Sequence, residues 1–284
     1  MSTPSVTDRM PRRTAGLAAG LFALVGIILV ASLAAGAWPM LGAPRAAANL
    51  IGAVWDPLRG RYGVAPFVVG TAAVTLTALV IAVPIALGVA VSIVHQVGAL
   101  GRGWILRVLT VLTAVPSVIF GWWGLQMVVP WVRAHVGGPG FSLLAAGIVL
   151  ALMILPTLSL FFAQALSKVP NTLKEGSAAL GATPDQTLLR VELPFAMPAL
   201  VNGLVVGLAR ALGETMAVQM VVGGQTAIPA GLAAPGATLT TQIFTDMTAF
   251  PPGTAGHAVL DIMALLLLAA MYVLVRTAER WGSR

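Results

Sequence analysis

Two ionisable residues, Arg210 and Glu214, sit inside the apolar run Gly207-Leu-Ala-Arg-Ala-Leu-Gly-Glu-Thr-Met-Ala-Val218. The planar guanidinium of an arginine donates paired hydrogen bonds to an oxyanion such as phosphate. A carboxylate four residues on, one turn along a continuous helix, would keep that arginine from holding an anion too tightly, because conduction needs release as well as binding. Arg210 lies about twelve residues beyond Pro198, or about 18 Å along a helix, near the middle of a membrane. An arginine there costs at least about 2.5–3.5 kcal/mol, which something must offset. Arg before Glu is the less favourable helical order, so helix stability does not explain the pair. Two readings stay open: a buried ion pair that fixes packing, and a charged face on a water-filled pathway.

A second stretch, Lys168-Val-Pro-Asn-Thr-Leu-Lys-Glu-Gly-Ser-Ala-Ala-Leu-Gly-Ala-Thr-Pro-Asp-Gln-Thr-Leu-Leu-Arg-Val-Glu-Leu-Pro194, is polar and highly punctuated. Asn171 is placed to cap a short helix, and Gly181 to end it in the left-handed conformation. Thr183, Pro184 and Gln186 form the start of a second helix with a capping box. Leu193-Pro194 is expected to stop that helix. The expectation is an ordered projection of two short helices joined by a tight turn.

Other chemistry is missing from the sequence. Lys168 and Lys174 are the only lysines, and neither follows the glycines of a phosphate-binding loop. His95, His135 and His257 are scattered without ligand-spaced partners, so neither a metal site nor a metal cofactor is expected. No nucleophile-elbow or HExxH pattern occurs. Cysteine is absent, which excludes disulfides and thiol catalysis. The chain reads as a non-enzyme, with no catalytic residue and no cofactor of its own.

The elements that must position these residues are membrane spans. Of 284 residues, 58% are hydrophobic and only 9% charged, where soluble domains carry about 25%. Mean hydropathy is +0.94. Such a chain has too few charges to cover a globular surface, and its solvent is membrane lipid. The net charge of +7 is spread between apolar segments, not gathered with aromatics, so nucleic acid is not an expected partner. Six apolar segments, at about 15–37, 67–94, 108–130, 141–166, 198–222 and 257–275, predict an all-α polytopic bundle. The sixth is the shortest. The first follows Arg9, Arg12 and Arg13 and is about twice the length of a signal-peptide core, so it reads as a retained span.

With the N-terminus in the cytoplasm, eleven Lys and Arg fall on the inner side. Four, Arg45, Arg59, Arg61 and Arg133, fall outside, and Arg210 lies within a span. The positive-inside rule then predicts both termini cytoplasmic. Pro84, Pro116 and Pro156 lie inside predicted spans and bend them, either for packing or to line a pathway. A Gly-, Pro- and Thr-rich outer stretch follows span five, and Thr238–Met247 within it suits a short helix or re-entrant piece.

The polar stretch resembles the cytoplasmic signature of ABC-importer permeases, EAA-x3-G-x9-I-x-LP. Glu175, Gly181, Val191, Leu193 and Pro194 hold its spacing, with Gly176-Ser177 replacing Ala-Ala and Val191 replacing Ile. The run Arg210-Ala-Leu-Gly-Glu-Thr-Met-Ala-Val218 resembles PstC-type phosphate permease subunits, among the binding-protein-dependent inner-membrane components. Gly70-Thr71 and Trp55-Asp56-Pro57 are similar as well. Asp246 stands where that family often has glutamate. The resemblance spans about residues 50–275.

The resemblance implies a type I (MetI-like) importer bundle in the bacterial inner membrane. It implies a PstA-like permease as heterodimer partner and two copies of a PstB-like ATPase that bind ATP and Mg. A secreted PstS-like protein would deliver phosphate. Glu175, Gly181, Val191, Leu193 and Pro194 would belong to the ATPase-coupling region, and Arg210 and Glu214 to the substrate pathway. The domain reading is a tail, first span and outer loop at 1–66, a permease domain at 67–277 with a coupling loop at 168–196, and a cytoplasmic tail at 278–284. The competing readings are a permease for molybdate, tungstate or sulfate, an ion-coupled secondary transporter, and a membrane scaffold. The outer arginines are either docking contacts or ordinary loop charges.

Overall fold

The structure is a computed structural model and describes residues 12–41 and 49–282. Arg9, Arg45 and Arg284 lie outside the described residues. Apart from a two-stranded antiparallel ribbon, β1 (Trp55–Asp56) and β2 (Arg61–Tyr62), all regular structure among the described residues is helical. Five helical stretches are long and apolar enough to cross a membrane. They are Gly16–Leu41 within α1 (Arg12–Leu41), Ala65–Gln96, Leu143–Ser167, Pro184–Gly213 and Ala255–Arg280. The last belongs to a helix of 28 residues, so the span read as shortest is in fact long, and it crosses the 277/278 boundary drawn from sequence.

The third expected span is not one helix. It is α3 (Ala99–Ala114) and a second arm, α4 (Ser117–Trp123), a π turn and α5 (Val129–His135), bent by 92° at Pro116. The cause is local. The proline ring excludes Val115 from the helical region, and Val115 takes ψ 128° and Pro116 ψ 136°. The expectation of a continuous span over 108–130 with an internal bend is therefore corrected to two helices meeting at an extended link. Pro84 and Pro156 do lie within helices.

The centre of the bundle is α6 (Leu143–Ser167) packed along α2 (Ala65–Val91). Val74, Ala78, Ala82, Ala86 and Ala90 recur every fourth residue and are all buried. Small residues at that spacing let two helices approach closely, which is how helices associate where lipid removes the hydrophobic drive. Gly147 completes the contact, because a Cβ there would lie 2.5 Å from Thr77 Cγ2. A second cluster lies at one end, where Phe67, Ala237, Val259 and Met263 pack together. Trp55 stacks edge-on against Phe67 at 5.2 Å and Tyr62 at 5.7 Å.

The buried N-terminus of α6 is satisfied by the chain around it. Ser142 Oγ accepts from Ala145 N at 3.1 Å. The Leu143 and Leu144 N–H groups donate to the carbonyls of Ala234 and Leu232. The Gly-rich segment after span five thus folds back as part of the bundle, consistent with irregular backbone being covered by protein. It ends in α11 (Leu239–Asp246), whose capping box pairs Thr238 with Thr241. Gly70 and Thr71 hold this segment. A Cβ at Gly70 would overlap the Ala237 carbonyl, and Thr71 Oγ1 accepts from Leu239 N at 2.9 Å.

Candidate functional site

The fifth span departs from its sequence reading at both ends. It begins at α8 (Pro184–Thr187), passes through a π turn (Leu188–Glu192) and continues as α9 (Leu193–Gly213). Leu193-Pro194 does not stop the helix. Pro194 falls in the first turn of α9, directly after the π turn, where a missing N–H is tolerated. The far end is not at residue 222 either. The helix stops at Gly213, Glu214 is extended with ψ 128°, and a one-turn helix α10 (Met216–Gln219) follows.

This break changes the account of Arg210 and Glu214. They are not on one face of a continuous helix, and no ion pair joins them among the described residues. Arg210 stands in the last turn of α9, where the partial negative charge of free carbonyls favours a cation. Its Nε is buried without a hydrogen-bond partner. Glu214 Oε1 accepts from Ala217 N at 3.1 Å, so the carboxylate caps α10. Each charge therefore has its own helix end.

Glu214 lines a cavity of about 460 Å³ with Ser117, Thr215, Met216, Thr240 and Phe244. Both interruptions, at Pro116 and at Gly213–Thr215, open onto it. Close contact keeps them together: a Cβ on Gly121 would lie 2.8 Å from Ala217 Cα. Thr240 Oγ1 donates to the Glu214 carbonyl at 2.9 Å, which ties α11 to the same place. The site thus offers a carboxylate, three hydroxyls and unwound backbone in an open recess on the side of the bundle, while Arg210 is adjacent in sequence and not part of the lining. Asp246 accepts from Gln242 Nε2 at 2.6 Å.

The 168–196 segment forms a second site. α7 (Asn171–Ala179) begins after Pro170, so Asn171 is its first residue and not its cap. Gly181 has φ +80° and makes the turn. Thr183 and Gln186 form the expected capping box, at 3.0 and 3.3 Å. α7 buries none of its residues, and Leu180 beside it is 90% exposed. Glu175, Gly181 and Pro194 are exposed, and Val191 and Leu193 are half-buried. Only one helix projects, because the second is the start of span five.

Sequence reasoning passed over a cluster here. Glu192, in the π turn of span five, has a side chain only 3% exposed. Its Oε2 lies 3.2 Å from Lys174 Nζ on α7 and 3.1 Å from His95 Nε2. His95 stands in the π turn Ser92–Gln96 that ends the Ala65–Gln96 span. The signal was a lone glutamate entering an apolar span, which demands a cation nearby.

Residues 82–281 match the family model for the inner membrane component of binding-protein-dependent transport systems. The chain belongs to this family. It is 37% identical over 233 residues to a probable ABC transporter permease protein, YqgH, of Bacillus subtilis, covering 81% of this chain and 75% of that one. It is 33% identical over 284 residues to the phosphate transport system permease protein PstC of Xylella fastidiosa strain 9a5c, covering 91% and 85%. PstC of Haemophilus influenzae is 32% identical, covering 90% and 88%. Among solved structures, a chain of the MetNI methionine ABC transporter, in inward-facing conformations, superposes with TM-score 0.57 at 23% identity, covering 81% of this chain and 98% of that one. The fold is therefore the MetI-like type I importer bundle. As a permease component the chain is a multi-pass inner-membrane protein and not an enzyme.

Proposed function

We propose that this chain is the permease subunit through which an ATP-driven importer passes inorganic phosphate into the bacterial cell. The observation that carries this reading is the cavity where two broken spans converge. Its lining includes Glu214, Thr215 and Met216 from the same run, Arg210–Val218, that resembles PstC-type subunits. Several relatives at 30–34% identity carry the PstC name. Hydroxyls and unwound backbone can replace water around an anion at membrane depth, and Arg210 supplies positive potential one turn before the break. Arg210 and Glu214 are assigned to this pathway.

The remaining parts follow the same reading. Both termini face the cytoplasm, which puts α7 there. Its largely exposed body, with Glu175, Gly181 and the following Val191, Leu193 and Pro194, suits docking into a separate ATPase that binds ATP and Mg. A PstA-like permease completes the membrane domain with two PstB-like ATPases, and a PstS-like protein delivers phosphate from outside. ATPase closure would rock the spans between outward and inward access. The permease domain drawn from sequence at 67–277, with its coupling loop at 168–196, belongs to the same reading, its last helix running on to Gly282.

The test is radiolabelled phosphate uptake by phosphate-starved cells lacking this chain, with the gene restored, and with molybdate and sulfate as competitors. Restored, vanadate-sensitive uptake that competitors leave alone is the expected result. Full competition by molybdate or sulfate would move the substrate to another oxyanion while leaving the importer class in place. Arg210→Ala, in a complex that still assembles, is expected to lower uptake at least about tenfold, equivalent to about 1.4 kcal/mol of barrier.

A further inference from the structure

We infer that Glu192, held between Lys174 and His95, is the joint that passes movement of α7 to the second and fifth spans. The inference rests on the importer reading above and adds positioning residues to it.

The geometry is specific. Three elements meet at one carboxylate oxygen: α7 through Lys174, the start of span five through Glu192 itself, and, from about one hundred residues earlier in the chain, the end of span two through His95. The two contacts lie outside hydrogen-bond angles, so they are chiefly electrostatic. Burying one carboxylate with no cation costs several kcal/mol, and removing one partner of a buried pair is far costlier than losing a surface pair. The contact is therefore one that the three elements keep together. Lys174 is the permanent cation. His95 Nε2 faces the same oxygen at 3.1 Å.

Both spans enter the joint through π turns, Ser92–Gln96 and Leu188–Glu192. A π turn interrupts the regular helical face and is commonly found at functional positions. Here the two turns bring His95 and Glu192 to one point beneath α7. A polar contact, Ser177 Oγ to Thr187 Oγ1 at 3.0 Å, ties α7 to span five a short distance away. By contrast α7 has no fully buried residue, and only Lys174 and Ser177 are partly covered. Its grip on the bundle thus depends on a few polar contacts, of which the one at Glu192 is the charged, buried one.

The assembled importer, with its ATPases and binding protein in proteoliposomes, gives the test. Phosphate transport and ATP hydrolysis are measured in parallel for wild type, Glu192→Gln, Lys174→Met and the exchange Glu192→Lys with Lys174→Glu. The expected result is ATP hydrolysis within about twofold of wild type but phosphate delivered per ATP lowered at least about fivefold in each single variant, with the exchange recovering at least half. Hydrolysis and transport falling in step, or unchanged coupling in Glu192→Gln, would overturn the inference. Wild-type vesicles that hydrolyse ATP but move no phosphate would sink the substrate reading instead, and the joint would then be read from binding-protein stimulation of the ATPase.

Should the single variants fail to assemble, a covalent test does not depend on them. The chain has no cysteine, so Ser177→Cys with Thr187→Cys supplies the only thiol pair. A joint that moves as one body tolerates this disulfide, and transport within about twofold of the reduced form is expected. Transport lost on oxidation and regained with reductant would show that α7 must part from span five, against the inference.

Discussion

Replacing Glu214 by glutamine separates its two possible uses. In the structure its Oε1 accepts from Ala217 N at 3.1 Å, and glutamine keeps an acceptor in that position. What glutamine removes is the negative charge. A charge at a helix N-terminus is worth about 0.3–1 kcal/mol, and α10 is a single turn of four residues, so the lower end of that range applies. The stability loss for Glu214→Gln should then stay below about 1 kcal/mol. Glu214→Ala loses the acceptor as well, adding about 1 kcal/mol for a missing cap. If the carboxylate shapes the field of the cavity, its removal acts on transport well beyond these figures. The expectation is a drop of at least about tenfold in phosphate uptake for Glu214→Gln, about 1.4 kcal/mol of barrier. Uptake is read in proteoliposomes holding the assembled importer, and stability from loss of helical circular dichroism on heating. Uptake within twofold of wild type would refute the charged-pathway argument and leave Glu214 as a cap alone. A large stability loss with uptake falling in proportion would refute it too.

Two further outcomes follow from local packing and from the lack of cysteine. Gly70→Ala places a methyl group against the Ala237 carbonyl and strains the Thr71–Leu239 hydrogen bond, for about 1–3 kcal/mol of overpacking. It should raise protease cleavage within residues 223–254 in the folded complex, and wild-type resistance would count against the docking role of Gly70. Single cysteines at Leu58 and Leu180, which are 99% and 90% exposed, read the orientation of the membrane domain. A membrane-impermeant thiol reagent added to intact cells should label the first and spare the second; the opposite pattern would invert the topology.

Much of the bundle was legible because lipid imposes length and apolarity on every span, and those are visible residue by residue. The 168–196 turn was legible for a different reason. Gly181, Thr183, Pro184 and Gln186 act within a few bonds of themselves, so their roles do not depend on the rest of the fold. Two of the misreadings share one cause. Leu193-Pro194 looked like a stop, but a preceding π turn and position in the first turn of α9 absorb the proline. Pro116 looked like a bend within a helix, yet the bundle lets it break the helix by 92°. In both places the proline's local preference was clear and the tertiary context chose the outcome. Arg210 and Glu214 were read as a same-face pair because nothing in Gly213-Glu214 announces a helix end; Gly213 does not even adopt a positive φ. The contact between His95 and Glu192 spans about one hundred residues, and no periodicity could reveal it.

One helix joins the two sites. Pro184–Gly213 is 30 residues long, about 45 Å, and carries Glu192 near one end and the cavity at the other. Its prolines and its π turn all lie within its first half, up to Pro198, so the segment beyond is the stiff part. That stiff part touches α6 through two glycines. A Cβ on Gly203 would lie 2.9 Å from Phe161 Cβ, and one on Gly207 would lie 2.5 Å from a Leu158 methyl group. Such close approach makes Gly203 a natural fulcrum. The arm from Gly203 to Gly213 is about 15 Å, and a 10° rock would move the broken end by about 2.6 Å, close to the diameter of a water molecule. Gly203→Ala needs the helix to stand off by a few tenths of an ångström, at a cost of about 1–3 kcal/mol. If the contact is the fulcrum, phosphate transported per folded complex should fall at least about threefold while ATP hydrolysis persists. Transport that tracks only the amount of folded complex would place the pivot elsewhere along the span.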